Sequence, residues 1–387
     1  MKIAIIGFGV VGSGAYETAK SVAGLEVTAI LSRHIRAGYE DIAHLFKKSI
    51  DDIVTDPEIE LVIESIGGTD IAREYVLKCL NAGKHVVTPN KNLISACYDE
   101  LSEVARDNNV KLAYTASAGG GIPWLFNLRR TRRTDRIKAV RGIVNGTCNY
   151  ILDAMHQSGA SFDDMLKDAQ NLGYAESNPA ADIEGTDTLR KTVISANTAF
   201  GTSFTEDQVP CFGIDRVTGE DIKWFNEHGY ACRLMMNAKL CGESAAAYVE
   251  PTLFTGSALE ASVGKNNNLI TLEGECVGTL AFFGPGAGQM PTGESVIQDV
   301  IDIRDGVTLS CLEADCDYKV DNSAELHRYY LRCDAACTCF DEVLESEEVN
   351  GDIKHCITKP VSVSDMHKAA DNMLEKGLAF FMAGLGE

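Results

Sequence analysis

Hydrophobic residues in the first 135 positions form short continuous runs that alternate with longer amphipathic stretches. The runs are rich in Val, Ile and Leu, which is typical of strands buried on both faces of a parallel sheet. They predict five strands, at 3–6, 27–31, 61–65, 85–88 and 111–115. The stretches between them, such as 70–82 and 98–108, predict helices. This alternation predicts a parallel β-α-β sheet at the start of the chain.

The pattern changes beyond residue 135. A strand at 137–144 is followed by predicted helices at 147–158, 161–172 and 183–200. Strands return at 232–240, 245–249, 268–273 and 278–283, and a glycine-rich turn at 284–288 precedes a helix at 291–303. Mixed helices and longer strands predict a second, α+β domain for substrate binding and dimerisation.

The last part of the chain predicts a small third module. Its elements alternate as a strand at 329–332, a helix at 339–345, a strand at 357–361, a helix at 364–375 and a strand at 378–383. The predicted domains are therefore 1–135 with 284–311 returning to it, then 136–283, then 312–387.

Composition excludes several functional classes. The formal net charge of -21 repels phosphate backbones, and no basic stripe offsets it, so nucleic acid is excluded as a partner. No apolar run reaches the roughly 18 residues of a membrane helix. The 13 scattered cysteines, without a secretion signal, favour reduced thiols in the cytoplasm. The densest group, Cys333, Cys337 and Cys339 with His355 and Cys356, lacks a paired CxxC spacing and favours plain thiols over zinc.

A glycine-rich hexapeptide follows the first strand at once and opens a helix. It fits GxGxxG and consists of Gly7, Phe8, Gly9, Val10, Val11 and Gly12. The first glycine permits a tight turn, the second permits close approach of a pyrophosphate, and the third permits close packing of helix on strand. In this context the hexapeptide predicts a Rossmann dinucleotide site rather than a chance glycine turn.

The residues after the second strand bear on the choice of cofactor. An NAD enzyme usually has Asp or Glu there for the ribose 2′-hydroxyl, whereas this chain has Ser32, Arg33 and His34. Arg33 can pair with a 2′-phosphate, which favours NADP over NAD. The alternative is that Arg33 only points into solvent.

Asp187 and Lys191 are spaced i and i+4, on one face of the predicted helix. A lysine among carboxylates can donate a proton to a carbonyl oxygen or accept one from an alcohol. Hydride transfer creates that need, because an alkoxide develops at the oxygen. The alternative is a surface ion pair, and the spacing alone favours this alternative.

Several longer motifs resemble the signature of homoserine dehydrogenases. They are NGTCNYIL at 145–152, AQNLGYAE at 169–176, DIEGTD at 182–187 with Lys191, TPNK at 88–91, GGGIP at 119–123 and GPGAG at 284–288. They occur in order across residues 2–305, which makes the resemblance far more specific than any single motif.

The resemblance implies roles for individual residues. Lys191 would be the proton donor, Glu176 and Asp187 would hold the substrate ammonium or an ordered water, and Asp182 would be a nearby second carboxylate. Gly146, Thr147 and Tyr174 would line the substrate pocket, although Tyr174 could equally be a core aromatic. Lys91 would lie between cofactor and substrate, with a solvated strand-end lysine as the alternative. The remaining expected cofactor contacts are Ser65, Thr88, Gly286 and Gly288.

Two further features of such enzymes are only partly matched. Family members often bind sodium through backbone carbonyls and a glutamate, but Thr115 stands at the glutamate position. The carbonyls of Ala118 and Gly120 could still bind sodium, so both the presence and the absence of a sodium site are left as alternatives. The C-terminal module resembles a shortened ACT regulatory domain without the usual Asp-x-Pro-Gly turn, and a dimer-bracing role is favoured over feedback regulation.

The resulting hypothesis is an NAD(P)-dependent, cytoplasmic enzyme, a homodimer or higher homo-oligomer, that interconverts L-homoserine and L-aspartate 4-semialdehyde. One alternative is another Rossmann oxidoreductase acting on a small amino acid or aldehyde. The other is a catalytically silent sensor of an amino acid or cofactor.

Overall fold

The chain forms two compact units in a computed structural model that describes residues 1–307, 316 and 318–386. The first unit consists of Met1–Thr134 and a returning stretch that begins at Gly284. The second consists of Asp135–Phe283 and a stretch that begins at Cys316.

The first unit contains a six-stranded parallel sheet. Its strands are β1 (Lys2–Ile6), β2 (Glu26–Leu31), β3 (Phe46–Lys47), β4 (Ile59–Glu64), β5 (His85–Val87) and β6 (Leu112–Ala113). They lie in the order β3-β2-β1-β4-β5-β6, which is the strand order of Rossmann folds. All five predicted strands are present, and the predicted Rossmann fold is confirmed. Strand β3 was missed because its two residues, Phe46 and Lys47, are not part of an apolar run.

Helices connect or follow the strands of this sheet along the chain. They are α1 (Val10–Ala19), α2 (Asp51–Val54), α3 (Asp70–Asn81), α4 (Lys91–Asp107) and α5 (Trp124–Arg132), with α11 (Gln289–Arg304) from the returning stretch. Buried aliphatic side chains of the strands and of α11, among them Ile3, Ile63 and Val296, share one core. Helix α11 packs against α1, and the amide of Gln289 donates to Ser13 Oγ at 3.0 Å.

The second unit is built on a ten-stranded mixed sheet and a separate two-stranded ribbon. The strands are β7 (Ile137–Ile143), β8 (Tyr230–Cys241), β9 (Ser244–Thr255), β10 (Asn267–Gly274), β11 (Gly278–Pro285), β12 (Lys319–Val320), β13 (Leu326–His327), β14 (Tyr329–Asp334), β15 (Leu344–Asn350), β16 (Ile353–Thr358), β17 (Val361–Ser362) and β18 (Phe381–Leu385). The main path is β11-β10-β7-β8-β9-β18-β14-β16-β15, with β12 paired to β9, and β13 pairs with β17.

The helices of the second unit supply its catalytic candidates. They are α6 (Gly146–Ser158), α7 (Phe162–Asn171), α8 (Ala180–Ile183), α9 (Thr186–Phe200), α10 (Gly219–Glu227) and α12 (Val363–Glu375). The prediction of one helix from residue 183 to 200 was wrong at its start. Gly185 has a φ of +88°, which ends α8 and lets α9 begin at Thr186.

The C-terminal stretch differs from its prediction. The expected helix at 339–345 is wrong, because residues Leu344–Asn350 form a strand paired with β16. The Asn350-Gly351 pair between these strands is a hairpin signal that the glutamate-rich, helix-favouring composition obscured. The C-terminal strands also share the large sheet, since β18 pairs with β9. The predicted boundary between residues 311 and 312 lies outside the described residues, and the ACT resemblance stays a prediction.

The longest helix of the described ranges is α4, with 17 residues. It is amphipathic and buries only one face, which includes Leu93, Ile94 and Leu101. Throughout residues 1–307, 316 and 318–386, no helix is both long and apolar enough to cross a membrane.

A buried carboxylate joins the C-terminal stretch to the sheet. Glu250 of β9 is 1% exposed and contacts His327 Nε2 at 2.7 Å and His367 Nε2 at 2.9 Å. Burial acts to raise the pKa of Glu250, but the two histidines outweigh it and lower this pKa to about 2. Burial acts to lower the pKa of His327, but the charge of Glu250 outweighs it and the pKa is raised.

These opposite shifts predict a pH window of stability. The Glu250 contribution is lost as pH falls from about 4.5 towards 2, and the His327 contribution is lost as pH rises above about 6.5. We expect His327→Ala to lower the free energy of unfolding at pH 6 by about 3 kcal/mol, since it leaves a buried charge with one partner fewer. The measurement is urea unfolding of both proteins from pH 5 to pH 8.

The replacement should also abolish most of the stability loss between pH 6.5 and 8. His34→Gln is the control, because His34 is exposed. Parallel stability curves for wild type and His327→Ala would contradict this assignment.

Candidate active site

The glycine loop of the first unit is packed too tightly for side chains at two of its three glycines. Gly7 has a φ of +91°, and a Cβ on Gly12 would lie 2.1 Å from the carbonyl oxygen of Gly7. Ser65 donates to that same carbonyl at 2.8 Å. A Cβ on Gly9, in contrast, would meet nothing within 4 Å. The open space at Gly9, beside the N-terminus of α1, fits the approach of a pyrophosphate.

The remaining loop residues divide between core and surface. Phe8 is buried and makes edge contacts with Tyr16, Tyr39 and Phe46. Val10 is 55% exposed on the first turn of α1, and Val11 is half-buried. The loop thus presents backbone to a ligand while Phe8 anchors it.

Two arginines follow strand β2. Arg33, the predicted partner of a 2′-phosphate, is exposed. Arg36 was not predicted, and it donates to the carbonyl of Gly9 at 3.0 Å and to Ser13 Oγ at 2.8 Å. Arg36 therefore supports the loop directly, while Arg33 remains accessible at the end of β2.

The turn before α4 is built on a buried acid that sequence analysis missed. Glu64, fully buried at the end of β4, accepts from Thr88 Oγ1 at 2.7 Å and from the backbone N–H of Ile66 at 2.6 Å. Burial raises the pKa of Glu64, against these hydrogen bonds. Asn90 caps α4 through Leu93 N, so Lys91 is the first helical residue. A charged residue ending an apolar strand was the available signal for Glu64.

The expected sodium-binding turn contacts the second glycine-rich loop of the same unit. A Cβ on Gly120 would lie 2.2 Å from the carbonyl of Gly286, and Gly121 N donates to the Pro285 carbonyl at 3.3 Å. Thr115 donates through N and Oγ1 to the buried carboxylate of Asp299, at 2.9 and 2.7 Å. Position 115 therefore contributes a hydroxyl already bonded to Asp299 rather than a carboxylate ligand.

The second glycine-rich loop, 284–288, leads directly into helix α11. Gly288 has a φ of +129° and is the residue before the helix, and Gly286 lies two residues earlier. These two glycines are the late cofactor contacts expected from the family resemblance.

Lys191 is the central cation of the second unit. Its Nζ donates to the carbonyl oxygen of Val144 at 2.7 Å and to Asp187 Oδ2 at 2.7 Å. The residue is only 9% exposed and Asp187 only 5%. A lysine ammonium has three donors, and these two bonds are the ones it makes to residues that the structure describes. The pair is therefore buried, unlike the surface ion pair that spacing alone favoured.

Asn145 connects Asp187 to the second predicted carboxylate. Its Nδ2 donates to Asp187 Oδ2 at 2.8 Å and to Asp182 Oδ1 at 2.7 Å. Asp182 also accepts, through its backbone carbonyl, a bond from Cys148 Sγ at 3.1 Å. Burial and then the charges of Asp182 and Asp187 raise the pKa of Cys148 well above its ordinary value, which keeps it a neutral thiol.

The remaining substrate candidates surround the start of α6. Gly146 is its first residue, and a Cβ there would lie 2.6 Å from the carbonyl of Asn266. Thr147 Oγ1 donates to the carbonyl of Tyr174 at 2.7 Å. Tyr174 is 39% exposed and contacts Tyr150 edge-on, so it is not a core aromatic. Glu176 is exposed, and its backbone carbonyl accepts a hydrogen bond from Gln170 Nε2 at 3.1 Å.

The structure thus brings Asp182, Asp187 and Lys191 together and leaves Glu176 outside their hydrogen-bond network. Asn145 was recognised only as part of a motif. Its signal was available, since asparagine is a favoured N-cap and Asn145 lies two residues before the predicted helix start at 147.

Replacement by alanine should have different effects at Gly12, which is closely packed, and at Gly9, which faces open space. Gly12→Ala should lower the unfolding temperature without cofactor, because overpacking against backbone costs about 1–3 kcal/mol. Gly9→Ala should leave that temperature unchanged, yet raise the Kd for NADP at least ~10-fold by obstructing the pyrophosphate. Circular dichroism melts and fluorescence titration measure the two effects. Unchanged cofactor affinity in Gly9→Ala would contradict the assignment of this loop.

Both units match models of one protein family. The family model described as homoserine dehydrogenase matches residues 123–301, and the model of the homoserine dehydrogenase NAD binding domain matches residues 7–115. The homoserine dehydrogenase of Neisseria gonorrhoeae is 36% identical over 335 residues, which cover 84% of this chain and 76% of the relative. That of Corynebacterium glutamicum is 40% identical over 314 residues, which cover 77% and 71%.

A solved structure agrees over the whole chain. The crystal structure of a homoserine dehydrogenase from Thiobacillus denitrificans matches with a TM-score of 0.89 and 29% identity, covering 100% of this chain and 98% of that one. The family models together with these relatives show that the chain belongs to the homoserine dehydrogenase family.

Proposed function

We propose that this protein interconverts L-homoserine and L-aspartate 4-semialdehyde with NAD(P) as the hydride carrier, and that Lys191 exchanges the proton. The observation that carries the assignment of Lys191 is its buried ammonium, which Val144 and Asp187 hold by two of its three donors. The third donor is available for a substrate oxygen.

Lys191 serves both directions of the reaction. The bound nicotinamide supplies or accepts the hydride at the carbon that carries the reacting oxygen. In reduction, the Lys191 ammonium donates its proton to the aldehyde oxygen as negative charge develops there. In oxidation, the neutral Lys191 amine accepts the hydroxyl proton of homoserine as that hydroxyl becomes a carbonyl.

The acidic side chains bind the other end of the substrate. Asp182 and Asp187 place two carboxylates beside the Lys191 ammonium, and carboxylates are suitable partners for the α-ammonium of an amino acid. Glu176, which lies exposed, is assigned to the same ammonium or to an ordered water. Gly146, Thr147 and Tyr174 line the pocket in this proposal, and Lys91 offsets negative charge on substrate and cofactor.

The proposal extends to the preferred cofactor. NADP is favoured over NAD because Arg33 is exposed after β2, where the 2′-phosphate of a bound cofactor is recognised. The pyrophosphate approaches the backbone at Gly9, while Gly7 and Gly12 permit the turn and the packing behind it. Ser65, Thr88, Gly286 and Gly288 complete the cofactor contacts. The described cysteines other than Cys316 are free thiols, and reduced thiols are typical of cytoplasmic proteins.

Two further assignments remain predictions of the family resemblance. Sodium would be bound by the carbonyls of Ala118 and Gly120, without help from Thr115, whose hydroxyl is bonded to Asp299. The assembly would be a homodimer, the commonest closed oligomer.

Replacement of Lys191 tests the proton-transfer role. Lys191→Ala should lower kcat for homoserine oxidation at least ~100-fold, the usual contribution of general acid-base catalysis. The Kd for NADP should stay unchanged, because the bonds of Lys191 are to Val144 and Asp187. Steady-state kinetics and fluorescence titration provide the two numbers.

Arg190→Ala is the matched control on the same helix. Arg190 pairs with Glu206 at 3.2 Å, so its loss should leave kcat within about twofold, as for a partly exposed ion pair. If Lys191→Ala retained the wild-type kcat, Lys191 would have no part in the chemistry.

The preference for NADP is tested at the two arginines after β2. Arg33→Ala should raise KM for NADP about tenfold, the value of one charge-assisted hydrogen bond, and leave KM for NAD unchanged. Arg36→Ala should weaken the binding of NADP and NAD equally, since Arg36 bonds to the loop beneath the pyrophosphate. If the ratio of KM for NADP to KM for NAD in Arg33→Ala equalled that of the wild type, the assignment of Arg33 would be contradicted.

A further inference from the structure

Asn145 occupies the junction between β7 and α6 and uses every polar atom of its side chain. Its Oδ1 accepts from Cys148 N at 2.8 Å and thereby caps α6. Its Nδ2 donates to Asp182 Oδ1 and Asp187 Oδ2 at 2.7 and 2.8 Å. The side chain is 4% exposed, so water does not replace these bonds easily.

The orientation of this amide is fixed by its neighbours. A carboxylate only accepts hydrogen bonds, so the nitrogen must face Asp182 and Asp187, and the oxygen must face the backbone N–H of Cys148. Serine keeps the cap but has one donor in place of two, and aspartate keeps the cap but has no donor when ionised. Asparagine is therefore the side chain that caps α6 and bridges both acids at once.

The bridge holds the carboxylates of Asp182 and Asp187 beside the ammonium of Lys191. Among the described residues, the titratable groups near Lys191 include Asp187 of α9, Asp182 of α8 and the thiol of Cys148 on α6. Without the Asn145 amide between them, the two carboxylates would repel more strongly, and this repulsion would weaken the geometry in which Asp187 Oδ2 meets Lys191 Nζ. Because residue 144 supplies the other acceptor for Lys191, the segment 144–145 fixes both bonds that orient the ammonium.

We propose that Asn145 is a positioning residue, which bridges Asp182 and Asp187 and thereby directs the third N–H of Lys191 towards the reacting oxygen. This inference rests on the proposed function, because it assigns Asn145 a part in the reaction of Lys191. It also makes the reactivity of the Lys191 amine depend on Asn145, and this reactivity can be measured without substrate.

The experiment compares Asn145→Ser and Asn145→Asp with wild type in homoserine oxidation across pH. We expect kcat to fall about tenfold or more in both variants, the effect of losing a hydrogen bond to a charged group. The acid limb of kcat/KM should move to higher pH in Asn145→Asp, because an added negative charge favours the ammonium form of Lys191, and to lower pH in Asn145→Ser, because Asp187 is held less closely against that ammonium. KM for NADP should stay as in wild type.

A second readout does not depend on turnover. Competitive labelling of amines with acetic anhydride, followed by mass spectrometry, gives the pH at which Lys191 becomes reactive in the enzyme without substrate. This midpoint should rise in Asn145→Asp, which adds a negative charge, and fall in Asn145→Ser, in which Asp187 is held less closely against the ammonium. Ser362→Ala is the control for loss of a helix cap, since Ser362 caps α12 through Asp365 N, and it should leave the pH profile of Lys191 unchanged.

The outcomes separate the two proposals. A wild-type enzyme inactive on homoserine, with a labelling midpoint that still shifts in the variants, would overturn the proposed function and support the bridge. Variants that keep both the wild-type kcat/KM profile and the wild-type labelling midpoint would overturn the positioning role, whatever their thermal stability.

Discussion

The buried ammonium of Lys191 is anchored by a backbone carbonyl and a carboxylate, and the second unit is arranged around that anchorage. Val144 lies at the end of β7, Asn145 caps α6, and Asp187 lies in the first turn of α9. Three elements therefore meet at one lysine. A charge this deeply buried is costly unless it is paired. Strand β7 must therefore end, and helices α6 and α9 must begin, where they do for Lys191 to stay paired and oriented.

The first unit solves a different problem, which is to bring backbone close to a phosphate-rich ligand. Gly12 packs against the Gly7 carbonyl and leaves no room for a side chain, whereas Gly9 faces open space. At the end of β4, the buried carboxylate of Glu64 accepts a hydrogen bond from Thr88 and so fixes the turn that precedes α4 at Lys91. Both units thus use buried polar groups to hold loops rigidly, which is what a site needs if it is to stabilise charge without reorganising.

Much of this arrangement follows from local sequence rules. Continuous Val/Ile/Leu runs predicted the parallel sheet, and the i, i+4 spacing put Asp187 and Lys191 on one helical face. Burial could not be predicted this way, so spacing alone favoured a surface ion pair for Lys191. Asn145 and Glu64 act through contacts with residues 24 or more positions away, and such contacts leave no periodic pattern. The hairpin at 344–358 was misread because glutamates on an exposed edge strand look helical.

The claim that the third N–H of Lys191 meets the reacting oxygen can be tested directly by a crystal structure of the ternary complex with NADP and homoserine. The account predicts the homoserine hydroxyl oxygen within about 3.2 Å of Lys191 Nζ, the reach of a group that transfers a proton, while the bonds to Val144 and Asp187 persist. A hydroxyl oxygen bound elsewhere, with no direct or single-water contact to Lys191 Nζ, would contradict it.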